Sequence, residues 1–150
     1  MTSATHKHKW HERFLALAEV VSTWSKDPST KVGAVIAHGN SIISLGYNGL
    51  PSGITDDGRL QERAWKHARV IHAEINAILH AHVNLTRATL YCTHKPCLSC
   101  ASIIIQSGIT SVYWLVETDN FECSISHFEE ARVYINPNPL VKVQTEAVVL

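Results

Sequence analysis

Two short stretches constrain the fold of this chain more than anything else in it: His72-Ala73-Glu74 and Pro96-Cys97-Leu98-Ser99-Cys100. Two cysteines three positions apart at a helix start can turn both sulfurs toward one point, and the positive potential of that helix end favours thiolate over thiol. A histidine at the start of a second helix can close the triangle. Such nitrogen and sulfur donors suit a tetrahedral zinc ion, and three protein ligands leave one position open, the pattern of a catalytic rather than a structural site. The fold must therefore bring two helix starts together across the segment that separates them. Glu74, two residues after His72, is placed to take a proton from water at such a site and pass it to a leaving group. The expected chemistry is hydrolytic attack at an electron-poor carbon.

The pattern of apolar residues supplies the frame. Trp10, Phe14, Leu17, Val21 and Trp24 recur at helical spacing, and Ser25-Lys26-Asp27-Pro28-Ser29 stops that helix because Pro28 cannot continue it. Val32 to His38 reads as a strand, Gly39-Asn40 as a tight turn and Ile42 to Gly46 as the antiparallel partner strand. A Gly/Pro-rich loop runs from Tyr47 to Gly53, followed by a polar stretch to about Ala68 without assigned structure. Ile71 to His82 is predicted helical, Ala88 to Thr93 a strand, Cys97 to Gln106 a helix and Ser111 to Val116 a strand. Ser126 to Arg132 reads as a short helix, and Val141 to Val149 is β-prone. Helices alternate with strands after the opening hairpin. That order predicts an α/β protein with a mixed sheet covered by helices on both faces, and residues 1–150 read as a single domain.

Charge narrows the partners. Thirteen Lys and Arg residues balance thirteen Asp and Glu, so the formal net charge is zero. A general electrostatic grip on a nucleic-acid polymer or an anionic membrane is not expected. The polar opening from Met1 to Lys9 has no apolar signal segment, and no apolar run is long enough for a membrane helix. The chain is thus expected to be soluble and cytoplasmic, with its four cysteines reduced or bound to metal.

The resemblance goes beyond the zinc-type spacing. Ser25-Lys26-Asp27-Pro28, Lys31-Val32-Gly33-Ala34-Val35-Ile36, Gly46-Tyr47-Asn48-Gly49-Leu50-Pro51-Ser52-Gly53, His72-Ala73-Glu74-Ile75-Asn76-Ala77 and the Pro-Cys stretch together resemble deoxycytidylate (dCMP) deaminases, over roughly residues 10 to 116. The pairing of H-x-E with P-C-x-x-C is the signature of zinc nucleobase deaminases. The resemblance implies a three-layer α/β/α cytidine-deaminase-like fold with a five-stranded mixed sheet. It implies hydrolysis of dCMP to dUMP and ammonia, supplying dUMP for thymidylate synthesis. It further implies a homo-hexamer activated by dCTP and inhibited by dTTP, with Mg²⁺ on the triphosphate effector. By position, His72, Cys97 and Cys100 correspond to the zinc ligands and Glu74 to the catalytic proton shuttle. The backbone at Ala73 and His94 would hold the base, Val32 would wall it, and Asn48 would meet the deoxyribose. Lys26, Asp27, Asn48 and Gly49 are the candidate effector contacts.

The chain departs from the family pattern after Val116. There Glu117-Thr118-Asp119-Asn120-Phe121 stands where help with the substrate phosphate is expected, and it carries two acids. His67 and Arg69, just before the zinc-type helix, are candidate phosphate contacts. A structural zinc knuckle would need a fourth ligand such as His94 or Cys92, but Cys92 alternates with Leu90 in an apolar strand and reads as core. His6, His8 and His11 lack a second type of metal ligand, and His80 and His82 read as helix-end residues. Trp10, Trp24, Trp65 and Trp114 read as core or interface anchors. Two other functions compete: a zinc deaminase of another base or nucleotide (dCTP, cytidine, guanine or tRNA adenosine), and a catalytically idle nucleotide sensor pinned by zinc. A sensor is expected to have lost the glutamate, and Glu74 is present.

Overall fold

The computed structural model describes residues 3–118 and 124–136. Helix α1 (Ser3–Ser22) leads into strand β1 (Gly33–His38) and strand β2 (Ser41–Tyr47). A single 3-10 turn (Arg59–Gln61), the short helix α2 (Arg63–His67) and helix α3 (Ala73–His80) follow. Strand β3 (Thr89–His94), helix α4 (Leu98–Gln106), strand β4 (Ser111–Val116), helix α5 (Ser124–Glu130) and strand β5 (Tyr134–Ile135) complete the order. The sheet runs β2-β1-β3-β4-β5. β1 pairs antiparallel with β2 and β3, whereas β3–β4 and β4–β5 are parallel. This is the five-stranded mixed sheet the sequence predicts.

Both faces of the sheet are covered, because its inner strands are apolar on both sides. On one face α1 packs Phe14, Leu15 and Ala18 against Val35, Ala37, Tyr91 and Leu115. On the other, Ala73 and Ala77 of α3 and Cys100, Ala101 and Ile104 of α4 cover Ala34, Ile36, Leu90, Cys92, Val112 and Trp114. The first face carries an aromatic cluster: His11 Nδ1 lies 2.7 Å from the Tyr91 hydroxyl, and the His11 ring stacks on Tyr113. Two glycines set how closely the layers approach. A Cβ on Gly46 would sit 2.3 Å from the Ala73 carbonyl oxygen, and one on Gly33 would sit 2.0 Å from that of Ala18. Glycine at these positions lets β2 lie directly on α3, and β1 on α1.

The differences from the sequence reading have local causes. α1 starts at Ser3 rather than near Trp10, so it extends ahead of the apolar stripe that marks it in the sequence. It ends at Ser22, so Trp24 lies outside it, 51% exposed and edge-on to Tyr47. α2 falls in the stretch left without structure; its one buried side chain is Lys66, which no hydrophobic periodicity reports. α3 begins two residues later than expected, because Ile71 is drawn into an antiparallel bridge with Gly49. α5 starts at Ser124 and ends at Glu130, two residues earlier at each end than read. The fifth strand is Tyr134–Ile135, and the β-prone segment 141–149 lies outside the described residues. Among the tryptophans, Trp114 is core, Trp10 is half-buried, and Trp65 stands between the guanidinium groups of Arg59 and Arg69.

Candidate active site

The starts of α3 and α4 meet beside the end of β3. His72 is the N-cap of α3 and Cys97 the N-cap of α4, both with extended backbone (φ −68°, ψ 153° and φ −73°, ψ 169°). Cys100 is the third residue of α4, and N-cap and third-position side chains share one side of a helix start. His72 Nδ1 lies 3.2 Å from Cys100 Sγ and 3.7 Å from Cys97 Sγ. The three donor atoms all fall within 4.8 Å of one another. One imidazole nitrogen and two sulfurs so spaced fit a zinc ion with an open fourth position. Hydrogen bonds from Cys100 and His72 hold the Cys97 thiol down at about 4, and the same Cys97 contact raises the His72 imidazole. Cys92, Cys97 and Cys100 are all free of disulfides.

Glu74, the second residue of α3, is only 4% exposed. Burial pushes its carboxyl above the ordinary range, opposed by its own backbone amide and by His72. It lies within hydrogen-bonding reach of the Cys92 and Cys100 thiols. Cys92 is core, as its alternation suggests, but it also forms the floor beneath this carboxyl.

A cavity of about 670 Å³ opens above the cluster. Val32, Asn48, Ala73, Glu74 and His94 line it together with His72 and Cys97, so the expected base and sugar contacts share one cavity with two residues of the cluster. Asn48 is buried, and its amide is partly committed: Oδ1 accepts from Val32 N–H at 2.8 Å and Nδ2 donates to the Thr30 carbonyl at 2.9 Å. One N–H and one lone pair remain for a ligand. The loop carrying Asn48 is tied to the metal side by Gly49 and Ile71, whose amides exchange hydrogen bonds at 3.1 and 2.8 Å. Ala73, first residue of α3, has a backbone N–H with no intrahelical acceptor. His94 Nδ1 lies 2.8 Å from the Thr93 hydroxyl, which already accepts from Gly33 N–H at 3.1 Å. That hydroxyl keeps both its hydrogen and a second lone pair for Nδ1, so it serves a neutral imidazole in either tautomer. Burial lowers the His94 pKa, which favours this neutral form.

The candidate effector contacts separate. Lys26 is exposed and Gly49 sits in the bridge to Ile71. Asp27 is buried, and its Oδ1 accepts from Ser29 N–H, Thr30 N–H and Lys66 Nζ, the last at 3.1 Å. The two candidate phosphate contacts also part company: His67 lines the cavity, whereas Arg69 lies over the Trp65 ring and donates to the Trp65 carbonyl. Residues two apart on a helical turn face different ways, which accounts for the split. Sequence reading missed Arg63, Lys66 and Lys95, which line the cavity as well. It also missed that Glu117 is neutralised, since Lys95 pairs with it at 3.2 Å and the Trp114 indole N–H donates to it at 3.0 Å.

Known proteins match this architecture. The family model "cytidine and deoxycytidylate deaminase zinc-binding region" matches residues 8–116. The chain belongs to this family. It is a hydrolytic deaminase with the family's five-stranded fold, and the His-Cys-Cys cluster falls within the matched residues. An uncharacterised deaminase of Aliivibrio fischeri is 49% identical over 113 residues, 75% of this chain and 77% of that protein. A probable deoxycytidylate deaminase of Caenorhabditis elegans is 42% identical, over 83% of this chain and 68% of that protein. The crystal structure of the cyanophage S-TIM5 dCMP deaminase, in complex with dCMP and dUMP, superposes with a TM-score of 0.72. It is 28% identical, and the match covers 91% of this chain and 98% of that one. No helix among the described residues is long and apolar enough to cross a membrane.

Proposed function

We propose that the chain hydrolyses dCMP to dUMP and ammonia, supplying dUMP for thymidylate synthesis. The observation that carries this reading is a buried carboxylate, Glu74, beside a His72–Cys97–Cys100 triangle at the foot of one nucleotide-sized cavity. Zinc held by those three residues would supply the Lewis acidity that makes water a nucleophile near neutral pH. Glu74 takes one proton from the attacking water and gives it to ring N3 of the cytosine; it then takes the second from the new C4 hydroxyl and gives it to the amine, which leaves as ammonia as the C4 carbonyl forms. A carboxyl raised by burial suits both directions of transfer, because its affinity for the proton lies closer to working pH. The Ala73 N–H faces the ring carbonyl, and the His94 backbone holds the exocyclic amine until it leaves. Val32 packs against the base, and the spare N–H of Asn48 meets the deoxyribose.

The same reading extends to a single-domain subunit of a cytoplasmic homo-hexamer, with feedback by dCTP and dTTP carried on Mg²⁺. Support for that extension comes from the Ser-Lys-Asp-Pro and Asn-Gly stretches. Here Lys26 and Asn48 are the residues with groups to offer an effector, Gly49 spends its amide and carbonyl on Ile71, and Asp27 contributes by shaping the turn. The test is ammonia release from dCMP, dCTP, deoxycytidine and cytidine side by side, with and without dTTP and Mg²⁺. Preference for dCMP is the expected result; equal turnover of all four would overturn it.

A further inference from the structure

The cavity that holds the deaminase centre also contains an unbalanced positive corner. Arg63, Lys66, His67 and Lys95 are among the residues that line it. Two are spent within the protein, Lys66 on Asp27 at 3.1 Å and Lys95 on Glu117 at 3.2 Å. Arg63 and His67 meet no carboxylate among the described residues. They lie four positions apart on α2, so their side chains rise on the same side of its single turn and into the cavity. Two further arginines, Arg59 and Arg69, are turned away onto the Trp65 ring, 4.2 and 4.7 Å from its centroid. A further sign of a polar ligand comes from Thr118, which lines the same cavity with a buried hydroxyl that has no partner among the described residues.

We infer that Arg63 and His67 form the phosphate-recognition corner of the substrate site and make this chain select a nucleoside monophosphate over the nucleoside. The inference rests on the function proposed above. The guanidinium fork supplies a permanent charge and paired N–H donors matched to phosphate oxygens. The imidazole of His67 adds a donor one turn away. This placement also answers the first of the two acids after Val116: Glu117 is held by Lys95 and the Trp114 indole, and the α2 side of the cavity provides the charge instead; Asp119, the second, lies outside the described residues.

Calorimetric binding of dUMP and 2′-deoxyuridine tests the corner, because neither ligand is turned over. The unsubstituted protein is expected to prefer dUMP. Arg63→Gln should shrink that preference about tenfold or more, the size of a lost hydrogen bond to a charged group, and Arg63→Lys should restore part of it. His67→Gln should shrink it to a smaller extent. Arg59→Gln, on the outer face of Trp65, should leave it intact. An unsubstituted protein without preference, an Arg63→Gln protein that retains it, or an equal loss in Arg59→Gln would each overturn the inference. Ammonia release from dCMP and deoxycytidine with the same proteins separates this from the function itself. A binding preference that collapses in Arg63→Gln without any ammonia from the unsubstituted protein would sink the deaminase reading and keep the corner.

Discussion

Two buried carboxylates line one cavity and are driven in opposite directions. Asp27 sits on the wall built from the Ser-Lys-Asp-Pro turn. Burial there works against its charge, but the Ser29 and Thr30 amides and Lys66 outweigh burial and hold it below its ordinary value. Glu74 sits among apolar residues and thiols, where burial wins and the carboxyl is pushed up. The difference is one of partners. Three donors of the protein converge on Asp27 Oδ1 and fix the turn, whereas Glu74 is left with capacity for a proton. Environment decides which acid keeps its charge and which is ready to hold a proton.

That contrast can be broken at either acid. Glu74→Gln removes the proton acceptor while keeping shape, so ammonia release should fall about 10²- to 10⁴-fold. Zinc content should stay near that of the unsubstituted protein; an active variant would erase the distinction. Cys97→Ser, measured by metal analysis and thermal melting, should lose zinc and with it the stability that ligand binding adds to the native state. Normal metal content would remove Cys97 from the ligand set. Asp27→Asn leaves Lys66 buried without a counter-charge and should cost about 3 kcal/mol, lowering the melting temperature by roughly 6–12 °C. A second change, Lys66→Met, should recover part of that loss.

The smallest effect concerns acid. Because folding depresses the Asp27 pKa, its contribution is present above the ordinary value of 3.8 and drains away as pH falls through the lower folded value. Melting followed from pH 5 to pH 3 should therefore show a shallower slope in Asp27→Asn. Equal slopes would mean that Asp27 is no more committed to the folded state than an exposed aspartate.

Much of this was legible in the chain, and what was missed shares one physical character. β1, β3, α4 and β4 announced themselves because apolar periodicity marks elements that bury a face. His72, Glu74, Cys97 and Cys100 announced themselves because zinc chemistry restricts residue type and spacing together. α2 was invisible since it is stabilised by a buried lysine, and no pattern of apolar residues signals an ion pair to a residue 39 positions away. Arg63 was hidden with it, and His67, a candidate from the sequence, was matched there with Arg69 instead. Likewise Ile71 read as helix until its bridge to Gly49 showed that a strand-like contact outweighs its local periodicity.

That bridge has a consequence for motion. Through two reciprocal amide hydrogen bonds the loop that carries Asn48 and the residue next to His72 form one mechanical piece, so neither can open without the other. The Gly49 and Ile71 amides should exchange with solvent deuterium together and more slowly than the loop tip at Ser52 and Gly53. Their shared rate would report how often the whole cavity breathes, independent of any turnover.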